Sequence, residues 1–89
     1  MTPEGKIVHD IRMWVKKSGG DSRKCEWASR RGAPDLFIML NGAHYWLEVK
    51  SPTGTVSALQ EAEIALMRRH GCRVEVVRSL EDARGVLEH

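Results

Sequence analysis

The chain has 89 residues, 42% of them apolar and 29% charged, with a net charge of +2. That is one domain, residues 1–89, near the lower end of what folds without disulfides or metal, and its composition is that of a soluble globular protein. No apolar run approaches the roughly 20 residues that span a bilayer, and no signal-peptide pattern opens the chain. Cys25 and Cys72 show no zinc-ligand spacing and His9, His44, His70 and His89 are scattered, so reduced thiols in a cytoplasmic protein are expected.

The charge is unevenly placed. Residues 1–31 carry eight Lys/Arg against four acids, a net +4; residues 32–89 carry six against eight, a net −2. The basic half holds Arg12, Lys16, Lys17, Arg23, Lys24, Arg30 and Arg31. Such clusters suit phosphate, because neutralising it releases condensed counterions; a solvated helix face followed by a charged loop is the plainer account.

In chain order, Thr2-Pro3-Glu4 starts a helix, with Thr2 as N-cap and Pro3 at the first helical position. Ile7, Val8, Ile11, Trp14 and Val15 recur at helical spacing and form its buried face. Gly19-Gly20 ends it, and residues 22–29 read as a first strand with Cys25 and Trp27 on one face. Arg30 to Ala33 form a loop, and Pro34 stands at the start of the next strand.

Two runs rich in branched and aromatic residues, Leu36 to Leu40 and Ala43 to Leu47, flank Asn41-Gly42. That pair predicts a two-residue hairpin turn, since both central positions need positive φ. Leu40 then pairs with Ala43, Phe37 with Trp46, and Asp35 lies opposite Glu48. A four-residue loop with Met39 facing His44 keeps this register, whereas a three-residue loop breaks it. Lys50 shares the face of Glu48 through the two-residue period of a strand. Both hairpin faces are largely apolar, so helices are expected on both sides, with Met39 and Trp46 in the core.

Ser51 to Gly54 break the strand, and Ser57-Ala58-Leu59-Gln60 matches a capping box. Leu59, Ala62, Leu66 and Met67 supply that helix's inner face, and Gly71 suits its C-terminal stop. Cys72 to Val77 read as a strand, and Ser79 caps a last helix to about Val86. Leu87-Glu88-His89 matches the start of an expression-tag remnant and is given no role. The order αβββαβα predicts an α/β fold: a mixed sheet flanked by helices.

Two carboxylates directly opposite each other repel, and sheets normally avoid the pairing. A hard divalent cation relieves it, since Mg²⁺ is held by one or two carboxylates plus waters and phosphate oxygens. The alternative is an edge pair of solvated acids neutralised by the neighbouring lysine.

The ordered set Gly32-Ala33-Pro34-Asp35, then Glu48-Val49-Lys50, preceded by a helix with Glu4 and followed by one with Gln60, resembles the PD-(D/E)XK nuclease superfamily. Within it, the chain is most similar to the small stand-alone VRR-NUC (virus-type replication-repair nuclease) domains. The resemblance covers nearly the whole chain and implies an αβββαβ restriction-endonuclease-like core. It implies that Asp35, Glu48 and the Val49 carbonyl hold Mg²⁺ or Mn²⁺, with Glu4 as a further metal-site acid. Lys50 would orient or help activate the attacking water, and Gln60 would meet the scissile phosphate or the water. Glu4 and Gln60 also have structural explanations: a first-turn acid complements the helix dipole, and Gln60 completes the capping box. The two roles of Gln60 compete for one side chain.

The expected function is a metal-dependent DNA endonuclease that hydrolyses phosphodiester bonds, with Arg30, Arg31, Lys16, Lys17 and Lys24 on the DNA. The resemblance further implies a homodimer acting on branched DNA such as four-way Holliday junctions, in the cytoplasm of a bacterial or phage-infected cell. The alternatives are a nuclease for flaps, nicks or ends, a nucleic-acid-binding module without turnover, and a structural partner domain that leaves the opposed acids unexplained.

Overall fold

A computed structural model describes residues 1–88. The elements are α1 (Pro3–Lys17), β1 (Asp21–Lys24), β2 (Leu36–Leu40), β3 (Ala43–Val49), α2 (Ala58–Arg69), β4 (Val74–Val77) and α3 (Leu80–Leu87). The strands form one sheet in the order β1-β2-β3-β4. β1/β2 and β2/β3 are antiparallel, while β4 runs parallel to β3 after the α2 crossover. This is the mixed α/β sheet that the sequence predicts.

The Asn41-Gly42 turn has positive φ at both positions, 52° and 77°, which joins the two strands with their natural twist. Leu40 therefore pairs with Ala43 and Leu36 with Leu47. One sheet face carries Leu36, Ile38, Leu40, Tyr45, Leu47 and Val49, all buried against Ile11 and Val15 of α1 and Ala83 and Leu87 of α3. Leu87, read from the sequence as part of a tag remnant, thus belongs to the core; His89 lies outside the described residues.

Three expectations need correction. The first strand stops at Lys24 rather than at residue 29. Trp27 lies beyond the strand, where its indole N–H donates to Glu63 of α2 at 2.6 Å. The inner face of α2 is Glu63, Ile64 and Met67, whereas Leu59 is 58% exposed and Ala62 is also outside. The helix is rotated so that Glu63 meets the indole. Finally, helices do not cover both hairpin faces evenly. Trp46 packs with Ile64, Met67 and Val74 under α2, but Met39 is only half-buried and belongs to neither core cluster. Beside them Phe37 and Trp46 stack at a tilt, 4.9 Å between ring centroids, and the ring of the exposed His44 stands edge-on to Trp46. The 12-residue α2 lies over β4 and the adjoining part of β3, which leaves the β2 side of this face partly open.

Candidate active site

Asp35 sits one residue before β2, at the end of the hairpin away from the turn. It is fixed from both sides. Its main-chain carbonyl accepts from Cys25 N–H at 2.9 Å, which continues the β1/β2 ladder past the last paired strand residue. Its carboxylate Oδ2 accepts from Val49 N–H at 2.7 Å, across the β2/β3 pair. A charge-assisted bond of this kind is stronger than a neutral one, and it aims Asp35 towards the end of β3.

Glu48 lies on β3, in register with Val76 of the parallel neighbour. It points away from the larger core, on the side covered by α2, and is 1% exposed. Two groups engage the same carboxylate oxygen, Oε2. Gln60 Nε2 donates to it at 2.7 Å, and Lys50 Nζ lies 3.3 Å from it. Lys50 is held by its own N–H, which donates to Val77 O at 3.0 Å and extends the parallel ladder. Burial, and secondarily the charge of Asp35, push the Glu48 carboxyl up to about 7; Lys50 pulls the other way without reversing the shift.

Gln60 occupies the first turn of α2, where the capping box is complete. Ser57 Oγ accepts from Gln60 N–H at 3.1 Å, and Ser57 N–H donates to Gln60 Oε1 at 3.0 Å. The expected competition between cap and site does not occur. The amide oxygen serves the cap while the amide nitrogen reaches Glu48.

Glu4, Asp35, Glu48, Val49, Lys50 and Gln60 line one cleft of about 370 Å³. Among the described residues no three His, Cys, Asp or Glu side chains converge tightly enough to form a ready-made ligand cluster, so Glu4 lines the cleft without joining Asp35 and Glu48 as a third preset ligand. The donor set fits a hard divalent cation held largely by water and substrate oxygens. A buried acid whose charged form is disfavoured by a second acid is the arrangement that such a cation relieves.

The basic residues divide between the two sides of the fold. Lys24 lines the cleft, and Lys16 lies farther along α1 and is paired with Asp21 at 3.1 Å. Lys17 and Arg31 are exposed. Arg30 pairs with the buried Glu63 at 3.2 Å. Glu63 is a residue that sequence reading passed over: it holds Trp27 and Arg30, and with them the loop leading to Asp35. Gly32 lies against the same turn of α2 with φ of 98°, where a Cβ would come within 3.1 Å of Leu59 O. Arg78 was also missed. It donates to Ser51 O at 2.8 Å and to Gly54 O at 2.6 Å, pinning the loop that follows Lys50.

A mixed sheet with helices on both faces and an acid pair at the strand ends has the organisation of a nuclease-type α/β domain. The VRR-NUC domain family model matches residues 9–81. A solved structure of a VRR_NUC domain superposes with a TM-score of 0.90 at 31% identity, covering 100% of this chain and 98% of its own. A second, of a VRR_NUC domain protein, superposes with a TM-score of 0.79 at 18% identity, covering 96% and 84%, and shares the fold. Comparison with curated proteins gives no match. The chain belongs to the VRR-NUC family of nuclease-type domains.

Proposed function

We propose that the chain is a Mg²⁺- or Mn²⁺-dependent DNA endonuclease, with Asp35, Glu48 and the Val49 carbonyl as metal ligands and Lys50 beside the attacking water. The observation that carries this reading is the buried Glu48 carboxylate, set beside Asp35 and 3.3 Å from Lys50 Nζ. Two acids alone would repel a phosphodiester, so the pair has a use in hydrolysis only with a cation between them and the substrate.

A bound divalent cation supplies Lewis acidity, lowering the pKa of water and offsetting charge on the phosphate. The chain does the positioning. Val49 N–H fixes Asp35 through Oδ2, and Gln60 and Lys50 fix Glu48 through Oε2. The Lys50 ammonium sits in a largely buried position where its charge counts for more than in water. Glu4, which lines the cleft, would hold metal-site water.

Branched DNA, such as a four-way junction, and a homodimeric enzyme are the finer part of this proposal. They are supported by the small size of the domain, which gains buried surface by pairing, and by the match between two-fold symmetry and a symmetric junction. The test incubates the protein with fluorescent junction, flap, nicked, single- and double-stranded DNA in Mg²⁺, Mn²⁺ or EDTA, with sedimentation run alongside. Metal-dependent cutting of junctions by a dimer is expected. Cutting of flaps or nicks by a monomer would overturn the junction assignment, and binding without cutting in every metal would overturn the enzyme.

A further inference from the structure

A second groove, of about 530 Å³, runs between α1 and β1 and opens into the acid-pair cleft, with Gly5, Val8 and Lys24 lining both. From Gly5 to Lys16, α1 extends roughly 16 Å at 1.5 Å per residue.

Two cations of this groove, Arg12 and Arg23, are anchored by neutral groups. Arg12 Nε donates to the hydroxyl of Ser22 at 3.0 Å, and Ser22 is itself nearly buried. Arg23 Nη1 donates to the main-chain carbonyl of Ser22 at 2.8 Å. Among the described residues Arg12, Arg23 and Lys24 form no ion pair, whereas Lys6, Lys16, Arg30, Lys50, Arg68 and Arg84 each do. The one acid lining the groove, Asp21, is taken by Lys16. A guanidinium oriented by a hydroxyl keeps its full charge for an outside partner, while one oriented by a carboxylate does not. Val8 and the half-exposed Met13 give the groove apolar wall between the cations.

We infer that the α1/β1 groove is the track for the phosphodiester backbone of the DNA strand being cut, with Arg12, Arg23 and Lys24 on successive phosphates and His9 at the rim. The track leads the strand past Lys24 to the acid pair. This inference rests on the nuclease reading of that pair. It extends the interface to residues on β1 and the inner side of α1, and away from Arg30, whose guanidinium is committed to Glu63.

The test measures binding of fluorescein-labelled duplex and four-way-junction DNA by anisotropy in EDTA, over a series of salt concentrations. Variants are R12Q, R23Q, K24Q and, at the far end of α2, R69Q. Each groove variant is expected to lower the slope of log K against log salt by about one, and the R23Q/K24Q pair to weaken binding about tenfold at moderate salt. R69Q should match wild type. Arg23 and Lys24 are exposed, so their variants keep the test valid if R12Q loses stability with the Ser22 contact. Groove variants that bind with wild-type affinity and slope overturn the inference, as does a wild-type protein that binds no DNA. Metal-dependent cleavage with unaltered binding by the groove variants would sink the track alone. Groove-dependent binding with no cleavage in any metal would sink the catalytic reading and with it the cut strand, leaving the groove as a DNA-binding surface alone.

Discussion

The side-chain amide of Gln60 joins the start of α2 to Glu48, its nitrogen 2.7 Å from Glu48 Oε2 while its oxygen accepts the Ser57 N–H. The capping box therefore decides which end of the amide faces the acid. Local helix chemistry and site geometry are one device.

Ser57→Ala removes the hydroxyl that receives Gln60 N–H and should cost about 1 kcal/mol of stability, the usual worth of an N-cap. It should also reduce turnover, because the start of α2 that aims Gln60 is loosened. Gln60→Glu can still accept from Ser57 N–H but cannot donate to Glu48, and it adds a third acid. Steady-state kinetics beside urea melts should show Gln60→Glu losing more activity than stability. Equal loss of both would leave Gln60 with a capping role alone.

Lys50→Ala should lower turnover by about 10²- to 10³-fold, as for removal of one preorganised positive donor from a dry site. Metal affinity, read by calorimetry, should change far less. Asp35→Ala and Glu48→Ala should lose both metal binding and cleavage, with circular dichroism showing the fold retained. Wild-type turnover in Lys50→Ala would remove the assigned role.

The metal-free protein should show a specific pH dependence. The Glu48 carboxyl is pushed up to about 7 in the folded state, chiefly by burial and then by Asp35, while the unfolded chain titrates near 4.5. Between those values the native state holds the extra proton, so stability falls as pH rises from about 4.5 through about 7, then levels off. A divalent cation must displace that proton, so the thermal stabilisation given by Mg²⁺ should grow as pH rises through 7. Glu48→Gln should flatten both trends. Thermal melts across pH 5 to 8.5, with and without Mg²⁺, would contradict the assignment if the wild type and Glu48→Gln traced the same curves.

Trp27→Phe should open the loop before Asp35. It leaves Glu63 Oε2 buried without its indole partner, a loss of about 1–3 kcal/mol. Hydrogen exchange should rise in residues 25–34 more than in β2 or β3, and cleavage should fall although no residue of the cleft is changed. Uniform exchange with full activity would show that the clamp does not position Asp35.

The sequence by itself determined the hairpin. Asn41-Gly42 permits positive φ at two consecutive positions, and the two-residue period then places Phe37 against Trp46 and carries Asp35 to the level of Glu48, whatever surrounds them. The helix starts at Thr2, Ser57 and Ser79 were equally readable, since a cap depends on neighbours within four residues. What only the tertiary structure decided depends on groups far apart in the chain. The first strand ends early and Trp27, beyond it, finds Glu63, 36 residues on, and this same contact turns Leu59 outward and Glu63 inward. Whether Gln60 caps a helix or meets an acid could not be settled from spacing. A side chain with two different ends can do both only when the crossover sets α2 against β3, and that docking is fixed by the packing of Ile64, Met67 and Val74 rather than by any local signal.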